Sequence, residues 1–348
     1  MANLTVATVN VNGLRAAVGK DAKNGSGMVE WFKSQVEKGL DVLCLQETKI
    51  SKNKKEELIG IYDELGINAC DFHLQEDIND SGHGGVAVWI NPKTCQTVHI
   101  EYPFEKTDEA IASGFSGRWQ EIVIKFANQE IAIVNSYYHR AKSPTHKEKG
   151  VLISRENSEK SMNAKHCFFD KTTLRMRKLI SKYGNFILVG DINTAHHYRV
   201  DIKNFKDNKK SAGFLPEERA WLDLWFAKQG EINVQSTYVE GKSAADAYKE
   251  NLDIKYTPPP TGEFTKGGLG LRDVIRERYG KDKKIYSWWS RRPTPKGYPF
   301  DNNVGWRLDY QIASESMAES VKEFEIQKYV SREKCWSDHA PVVVTYNL

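Results

Sequence analysis

Residues 186–193 read Phe-Ile-Leu-Val-Gly-Asp-Ile-Asn. Four consecutive apolar residues predict a strand buried on both faces, and the chain then delivers Asp191 and Asn193 at its end. The same arrangement recurs along the sequence. Leu4–Val9 leads to Asn10 and Asn12, Asp41–Leu45 to Gln46 and Glu47, and Ile131–Val134 to Asn135 and Tyr137. Leu308–Ile312 carries Asp309 near its start, and Ser337-Asp338-His339 precedes Pro341–Tyr346. Gly85–Ile90 and Glu121–Phe126 complete a set of short strands rich in Val and Ile. Glu121–Phe126 alternates, with Ile122, Ile124 and Phe126 on one face and a polar face expected opposite.

Helical patterns lie between the strands. Met28, Trp31, Phe32 and Gln35–Val36 form an apolar stripe ending near Gly39. Leu174–Ile180 is a basic amphipathic stretch ending near Gly184. Pro216 opens a third helix, with Trp221, Leu222 and Trp225 inward. Trp221, Trp225 and Trp289 are expected in the core. Lys142–Lys165 and Ser236–Lys266 are polar and weakly periodic, the latter stiffened by Pro258-Pro259-Pro260. No repeat or linker divides the chain. One α+β domain with stacked sheets follows, residues 1–348, with surface insertions at 141–170 and 236–266.

Composition closes off several classes. The 348 residues are 40% hydrophobic and 28% charged, which excludes a disordered chain. No apolar run approaches the roughly 18 residues of a membrane span. The N-terminus has no secretion signal, so a cytoplasmic protein, nucleoid-associated when acting, is expected. Five cysteines without a C-x-x-C pair argue against a disulfide framework or a zinc knuckle and for buried thiols. The net charge of +4 hides an uneven distribution. Residues 140–182 hold twelve Lys/Arg against four acids, and residues 276–307 hold nine against three. Such segments suit either a polyanion partner or two solvated surfaces.

Taken singly, the polar strand ends are ordinary. Asp191 and Asn193 fit a turn, Glu47 a surface pair with Lys49, Asp309 a partner for Arg307, and His339 a core histidine. Together they offer carboxylates, carboxamides, a histidine and a tyrosine, with no nucleophilic Ser or Cys in a recognisable setting. That set suits metal-assisted hydrolysis of a phosphate ester, because Mg²⁺ takes oxygen ligands and uses few carboxylates.

Seven ordered motifs then carry a specific resemblance. They are Asn10-Val11-Asn12-Gly13-Leu14-Arg15-Ala16, Leu45-Gln46-Glu47-Thr48-Lys49, Gly190-Asp191-Ile192-Asn193-Thr194-Ala195-His196, the run Ala212–Arg219, Trp288-Trp289-Ser290, Gly305-Trp306-Arg307-Leu308-Asp309-Tyr310 and Ser337-Asp338-His339-Ala340-Pro341-Val342. The chain resembles the exonuclease III family of abasic-site endonucleases, within the endonuclease/exonuclease/phosphatase superfamily. The resemblance implies a four-layer αββα sandwich, with two mixed sheets face to face, helices outside and the site at one edge. It implies a Mg²⁺-dependent DNA repair nuclease, with Mn²⁺ a plausible substitute. Such an enzyme cuts the phosphodiester 5′ to abasic sites in double-stranded DNA, acts as a 3′-to-5′ exonuclease and trims blocked 3′ ends. A monomer with no membrane partner is expected.

The resemblance also assigns roles. Asn10, Asn12, Glu47 and Asp338 match metal-side residues, with Glu47 the principal ligand. Asp191 matches the group that positions or deprotonates the attacking water. Asn193 matches a phosphate-oriented carboxamide, and Tyr137 a tyrosine near the scissile phosphate. Asp309 matches the residue that orients His339. Trp288, Trp306 and Leu308 match a pocket for a base-free sugar, and Arg15, Lys49, Arg140, Phe214 and Arg307 are read as DNA contacts. The sequence departs from the pattern at Val9, at Gly84 and in Tyr137-Tyr138-His139-Arg140, where the family commonly has Tyr-x-Pro-Asn/Gln. Two rivals remain at this level. A small-molecule phosphatase or phosphodiesterase would not need Trp288, Trp289 or Trp306, and an inactive DNA-binding module would not need intact acidic residues.

Overall fold

The computed structural model describes residues 2–19, 27–50, 56–76, 84–104, 114–142, 147–148, 151–152, 154–197, 199–204, 208, 211–231, 263 and 266–348. In chain order its elements are β1 (Asn3–Asn10), α1 (Leu14–Ala17), α2 (Gly27–Glu37), β2 (Val42–Gln46), α3 (Glu57–Leu65), β3 (Phe72–Gln75), β4 (Val86–Ile90), β5 (Gln96–Glu101), β6 (Trp119–Phe126) and β7 (Gln129–Tyr137). A two-residue ladder, β8 (Lys147–Glu148) with β9 (Val151–Leu152), precedes α4 (Arg155–Tyr183), β10 (Phe186–Asp191) and α5 (Pro216–Phe226). The last are β11 (Arg272–Asp273), α6 (Val274–Tyr279), β12 (Asp309–Ala313), α7 (Glu315–Glu319), β13 (Val321–Ile326) and β14 (Val342–Asn347).

The strands form two six-stranded sheets, β13-β14-β1-β2-β4-β3 and β11-β12-β10-β7-β6-β5. Each is mixed: β1 runs parallel to β2 and β7 parallel to β10, and their other neighbours are antiparallel. Side-chain alternation along β10 shows how the layers are made. Ile187 and Val189 enter the core between the sheets, with Val6, Val42, Val88, Ile133 and Val344. Phe186 and Leu188 face outward onto Phe168, Phe169 and Met176 of α4 and Trp221 and Trp225 of α5. On the far side, Ala7, Val9, Leu43 and Leu45 pack against Met28 and Phe32 of α2 and Leu58 and Ile61 of α3. Three apolar layers between four layers of secondary structure give the expected αββα sandwich. Trp221, Trp225 and Trp289 are buried as expected.

Of the face of β6 opposite Ile122, Ile124 and Phe126, Lys125 is exposed as expected but Glu121 is buried. Glu121 lies under α4, accepting from Arg175 Nε and Trp119 Nε1, both at 2.8 Å. Helix α4 is also longer than its amphipathic end suggests. It starts at Arg155, where the Ser154 Oγ accepts from Asn157 N at 3.2 Å, and ends at Gly184 with φ of 71°. Residues 155–170 of the expected insertion are therefore helix. Of segment 236–266 only Glu263 and Lys266 are described; Pro258-Pro259-Pro260 lies outside the described residues. Cys44, Cys95 and Cys335 are buried, but Cys70 is exposed and Cys167 half-buried. Among the described residues, no helix is long and apolar enough to cross a membrane.

Strand register brings the polar ends together. Asp191 lies opposite Tyr137 on one side and Asp309 on the other. Asn10 lies opposite Gln46, so Glu47 follows at the same edge. Gly190 makes the β7–β10 approach possible: its φ is 131°, and a Cβ there would stand 1.9 Å from the Ser136 carbonyl oxygen. Below the edge, carboxamides tie the sheets. Asn135 Nδ2 donates to the Leu45 and Ala87 carbonyls across the interface, at 3.2 and 2.8 Å, and Gln46 Nε2 donates to Asn135 Oδ1 at 2.7 Å.

Candidate active site

Asn10 joins the two halves of the site. Its Nδ2 donates to Glu47 Oε1 at 3.1 Å, on its own sheet's edge, and to Asp191 Oδ2 at 3.0 Å, on the other. Asn12, Glu47, Lys49 and Asn193 all have left-handed backbone, with φ of 49°, 49°, 54° and 51°. Such conformations are costly for residues with a side chain and gather where function over-determines the geometry.

Asp191 is buried and accepts three hydrogen bonds: from Asn193 N at 2.8 Å, Asn193 Nδ2 at 3.1 Å and Asn10 Nδ2. Burial still dominates and lifts its carboxyl to about 7, against the opposing pull of the His339 charge. His339 Nδ1 lies 2.8 Å from Asp309 Oδ2, and its Nε2 lies 3.9 Å from Asp191 Oδ2. Burial alone would depress the imidazole, but Asp309 beside it, with Asp191 and Asp338, raises it to about 10. His339 is thus an imidazolium at neutral pH, oriented by Asp309. Ser287 fixes that strand start, its Oγ accepting from the Leu308 and Asp309 amides at 2.9 and 3.0 Å.

On the other half, Glu47 Oε1 also accepts from Tyr137 Oη at 2.5 Å, and the Arg118 guanidinium sits 4.6 Å above the Tyr137 ring. Asp338 accepts from Asn12 Nδ2 at 2.8 Å and from Trp288 Nε1 at 3.0 Å. Its carboxyl is held low: burial raises it, but His339 and these two hydrogen bonds outweigh burial. The Lys49 ammonium lies 3.2 Å from Glu47 Oε2 and donates to Asn12 Oδ1. Here an oxygen-only donor set already gathers a cation, which fits a hard divalent metal. Asp191, Asp309 and His339 also offer ligand atoms within 4.8 Å of one another, a grouping able to hold a metal ion. The His339–Asp309 contact at 2.8 Å also makes this second group a hydrogen-bonding network.

Trp288 and Trp306 stand edge to face with ring centroids 6.4 Å apart, and their backbones exchange two hydrogen bonds of 2.9 Å. With Leu308, Ala195, Ile202 and Phe214 they form a small apolar cluster beside Asp338. Phe214 is fully buried here, against Trp306, so it is a wall of this cluster and not a DNA contact. Arg307 also departs from the DNA-contact reading. It is fully buried, with Nε and Nη2 on Asp201 at 2.8 Å each and Nη1 and Nη2 on Asp273 at 3.0 and 2.7 Å. The Arg15 guanidinium lies on Glu57 at 3.0 Å, and Arg140 is exposed.

The basic segments are likewise partly internal. In the first, Lys165 pairs with Glu218, Arg175 with Glu121 and Arg177 with Glu263. In the second, Arg276 and Arg307 share Asp201, while Arg291, Arg292 and Lys296 are exposed just beyond Trp288. Sequence reasoning missed Ser287, Arg118, Asp201 and Lys165. None of the four carries a local signal; the one pointer is the partner of Lys165, Glu218, as the third residue of a helix opening with Pro216.

Comparison with known proteins agrees with this fold. The endonuclease/exonuclease/phosphatase family model matches residues 7–339. An exodeoxyribonuclease of Bacillus subtilis is 25% identical over 340 residues, 97% of this chain and 98% of that protein. The DNA repair nuclease APEX1 of Danio rerio is 25% identical over 348 residues, 99% of this chain and 82% of that one. Among solved structures, the AP endonuclease LMAP of Leishmania major superposes with a TM-score of 0.64 at 20% identity, covering 99% of this chain and 88% of its own. An AP endonuclease from Archaeoglobus fulgidus gives 0.61 at 18% identity, covering 99% and 100%. With a family match over nearly the whole length and a fold that agrees with it, the chain belongs to the endonuclease/exonuclease/phosphatase family.

Proposed function

We propose that this protein is a Mg²⁺-dependent DNA repair nuclease that hydrolyses the phosphodiester 5′ to an abasic site in duplex DNA and trims 3′ ends. The observation that carries this reading is the Trp288–Asp338 hydrogen bond of 3.0 Å. In this reading Trp288, Trp306 and Leu308 wall a pocket for a sugar without a base, and the hydrogen bond ties that wall to a carboxylate on the metal side of the site. A phosphatase for small soluble substrates has no use for that coupling.

In this mechanism Asp191, held by Asn10 and Asn193, accepts the proton of the attacking water. His339, kept charged by Asp309, donates from Nε2 to a non-bridging phosphate oxygen and stabilises the charge that develops there. Asn193 serves as the clamp on Asp191, since its amide donates to Asp191 Oδ2 and to the Tyr138 carbonyl at 3.0 Å. Glu47 and Asp338, with the Asn12 carboxamide oxygen, would hold Mg²⁺. When bound, the metal supplies positive charge to the phosphate and the leaving 3′ oxygen. Arg291, Arg292 and Arg140 are exposed, and in this reading they would meet flanking phosphates. The whole chain, 1–348, acts as one domain and as a monomer.

The test is to incubate the protein with a duplex carrying one abasic-site analogue, with Mg²⁺ or with EDTA, and to map the cut. A single metal-dependent nick on the 5′ side, leaving a 3′-hydroxyl, is expected. No nick, with release of phosphate from soluble phosphomonoesters, would favour the phosphatase.

A further inference from the structure

Beneath the site, α4 sends one lysine into the interior. Lys165 and its partner Glu218 are both fully buried. A buried ammonium is costly unless its protons find acceptors. The Lys165 Nζ donates to the Asn193 carbonyl oxygen at 2.8 Å, to Thr194 Oγ1 at 2.9 Å and to Glu218 Oε1 at 2.6 Å. Three acceptors use all three ammonium protons, so the nitrogen is fixed from three directions. Its anchor is itself fixed: Glu218 Oε2 accepts from Gly213 N at 2.7 Å and Leu215 N at 3.0 Å, and Ala195 N donates to the Gly213 carbonyl at 2.8 Å. The loop after β10 and the loop before α5 are stitched into one body around this ammonium.

The peptide it holds is the left-handed one at Asn193, whose amide and side chain grip both oxygens of Asp191. We propose that Lys165 is a positioning residue for the reaction: by holding the Asn193 carbonyl it sets the two-point grip of Asn193 on Asp191. This rests on the proposed role of Asp191 with the water. Without the ammonium, the Asn193 carbonyl is left buried beside an uncompensated Glu218, and the strained peptide can turn.

The experiment is a double-mutant cycle of Lys165→Met and Asn193→Ala, read as single-turnover cleavage of an abasic-analogue duplex with saturating protein and Mg²⁺. Ile124→Ala, in the core between the sheets, supplies a destabilised control. Lys165→Met is expected to slow cleavage about 10- to 100-fold, the scale of a displacement near 1 Å. Its duplex affinity should match the parent, and Ile124→Ala should cleave at the parent rate. The double variant should be no slower than Asn193→Ala, because both changes loosen one grip. Losses that multiply, or a parent-like rate for Lys165→Met beside a slow Asn193→Ala, overturn the proposal and leave Asp191 untouched. A parent-like rate for Asn193→Ala overturns the role of Asn193 itself, and the proposal with it. Should Lys165→Met fail to fold, the same cycle runs with Lys165→Met/Glu218→Gln, which removes the lone buried charge and keeps an acceptor for Gly213 and Leu215.

Discussion

Replacing Arg307 with Met separates two roles that the sequence leaves open. In the structure its guanidinium makes four hydrogen bonds of 2.7–3.0 Å to Asp201 and Asp273, all buried. Arg307→Met keeps most of the volume but leaves two carboxylates facing each other, with Arg276 alone still on Asp201. Breaking a buried ion pair from one side costs about 3–5 kcal/mol. An unfolding entropy of roughly 2.1 cal/mol/K per residue converts that, over a chain of this length, to a fall in Tm of about 4–7 °C. The loss should depend on pH. Asp201 is pushed up by burial but held well below the usual carboxylate range by Arg307 and Arg276. A depressed folded pKa stabilises above the unfolded value, about 3.9, and the contribution fades as pH falls toward the folded one. The difference between parent and variant should therefore be full at neutral pH and shrink below about pH 4. Thermal melts from pH 3 to 7 measure it. If Arg307 instead met DNA, Tm would stay put and the salt slope of duplex binding would fall by about 0.9. That pattern would refute the structural role.

Three further outcomes follow from the site. Glu47→Ala should raise the Mg²⁺ concentration for half-maximal rate by at least about 10-fold, the loss expected even for a ligand's supporting partner; an unchanged Mg²⁺ titration would remove Glu47 from the metal. Asp309→Asn should lower kcat by about 10²- to 10⁴-fold with duplex affinity retained, because His339 loses the partner that keeps it charged and aimed; a gel-shift assay beside the cleavage assay decides this, and weakened binding with normal turnover would contradict it. Trp306→Ala should erode discrimination between abasic and undamaged duplex by about 10- to 200-fold, the range one pocket wall can contribute. Equal discrimination in parent and variant would move the pocket elsewhere.

The strands that sequence patterning revealed are those with two covered faces or a covered neighbour on each side. All eight, from β1 to β14, are the inner strands of the two sheets. The strands of these two sheets that it missed, β3, β5, β11 and β13, are their edges. β5 shows why: four of its six residues are exposed, so no apolar period marks it. The first half of α4 was illegible for a related reason. Its inward groups include Lys165, and a lysine whose charge is neutralised fifty-three residues later looks in the sequence like a solvated one. Site residues at strand ends were legible because strand and polar end adjoin in the chain. Arg307 and Phe214 were misplaced because motif membership does not distinguish a residue that touches substrate from one that supports it. Asp201 and Ser287, which support Arg307 and Asp309, sit in loops with no local pattern.

Asp191 is the group on which the account turns. The decisive measurement is single-turnover cleavage of an abasic-analogue duplex by the parent and by Asp191→Asn, each at saturating Mg²⁺ and each with duplex affinity measured alongside. Asn at this position keeps the size and an oxygen for Asn10 and Asn193 but cannot take a proton from water. The account predicts a rate lower by about 10²- to 10⁴-fold with affinity within a few-fold of the parent. Cleavage at the parent rate by Asp191→Asn would contradict it.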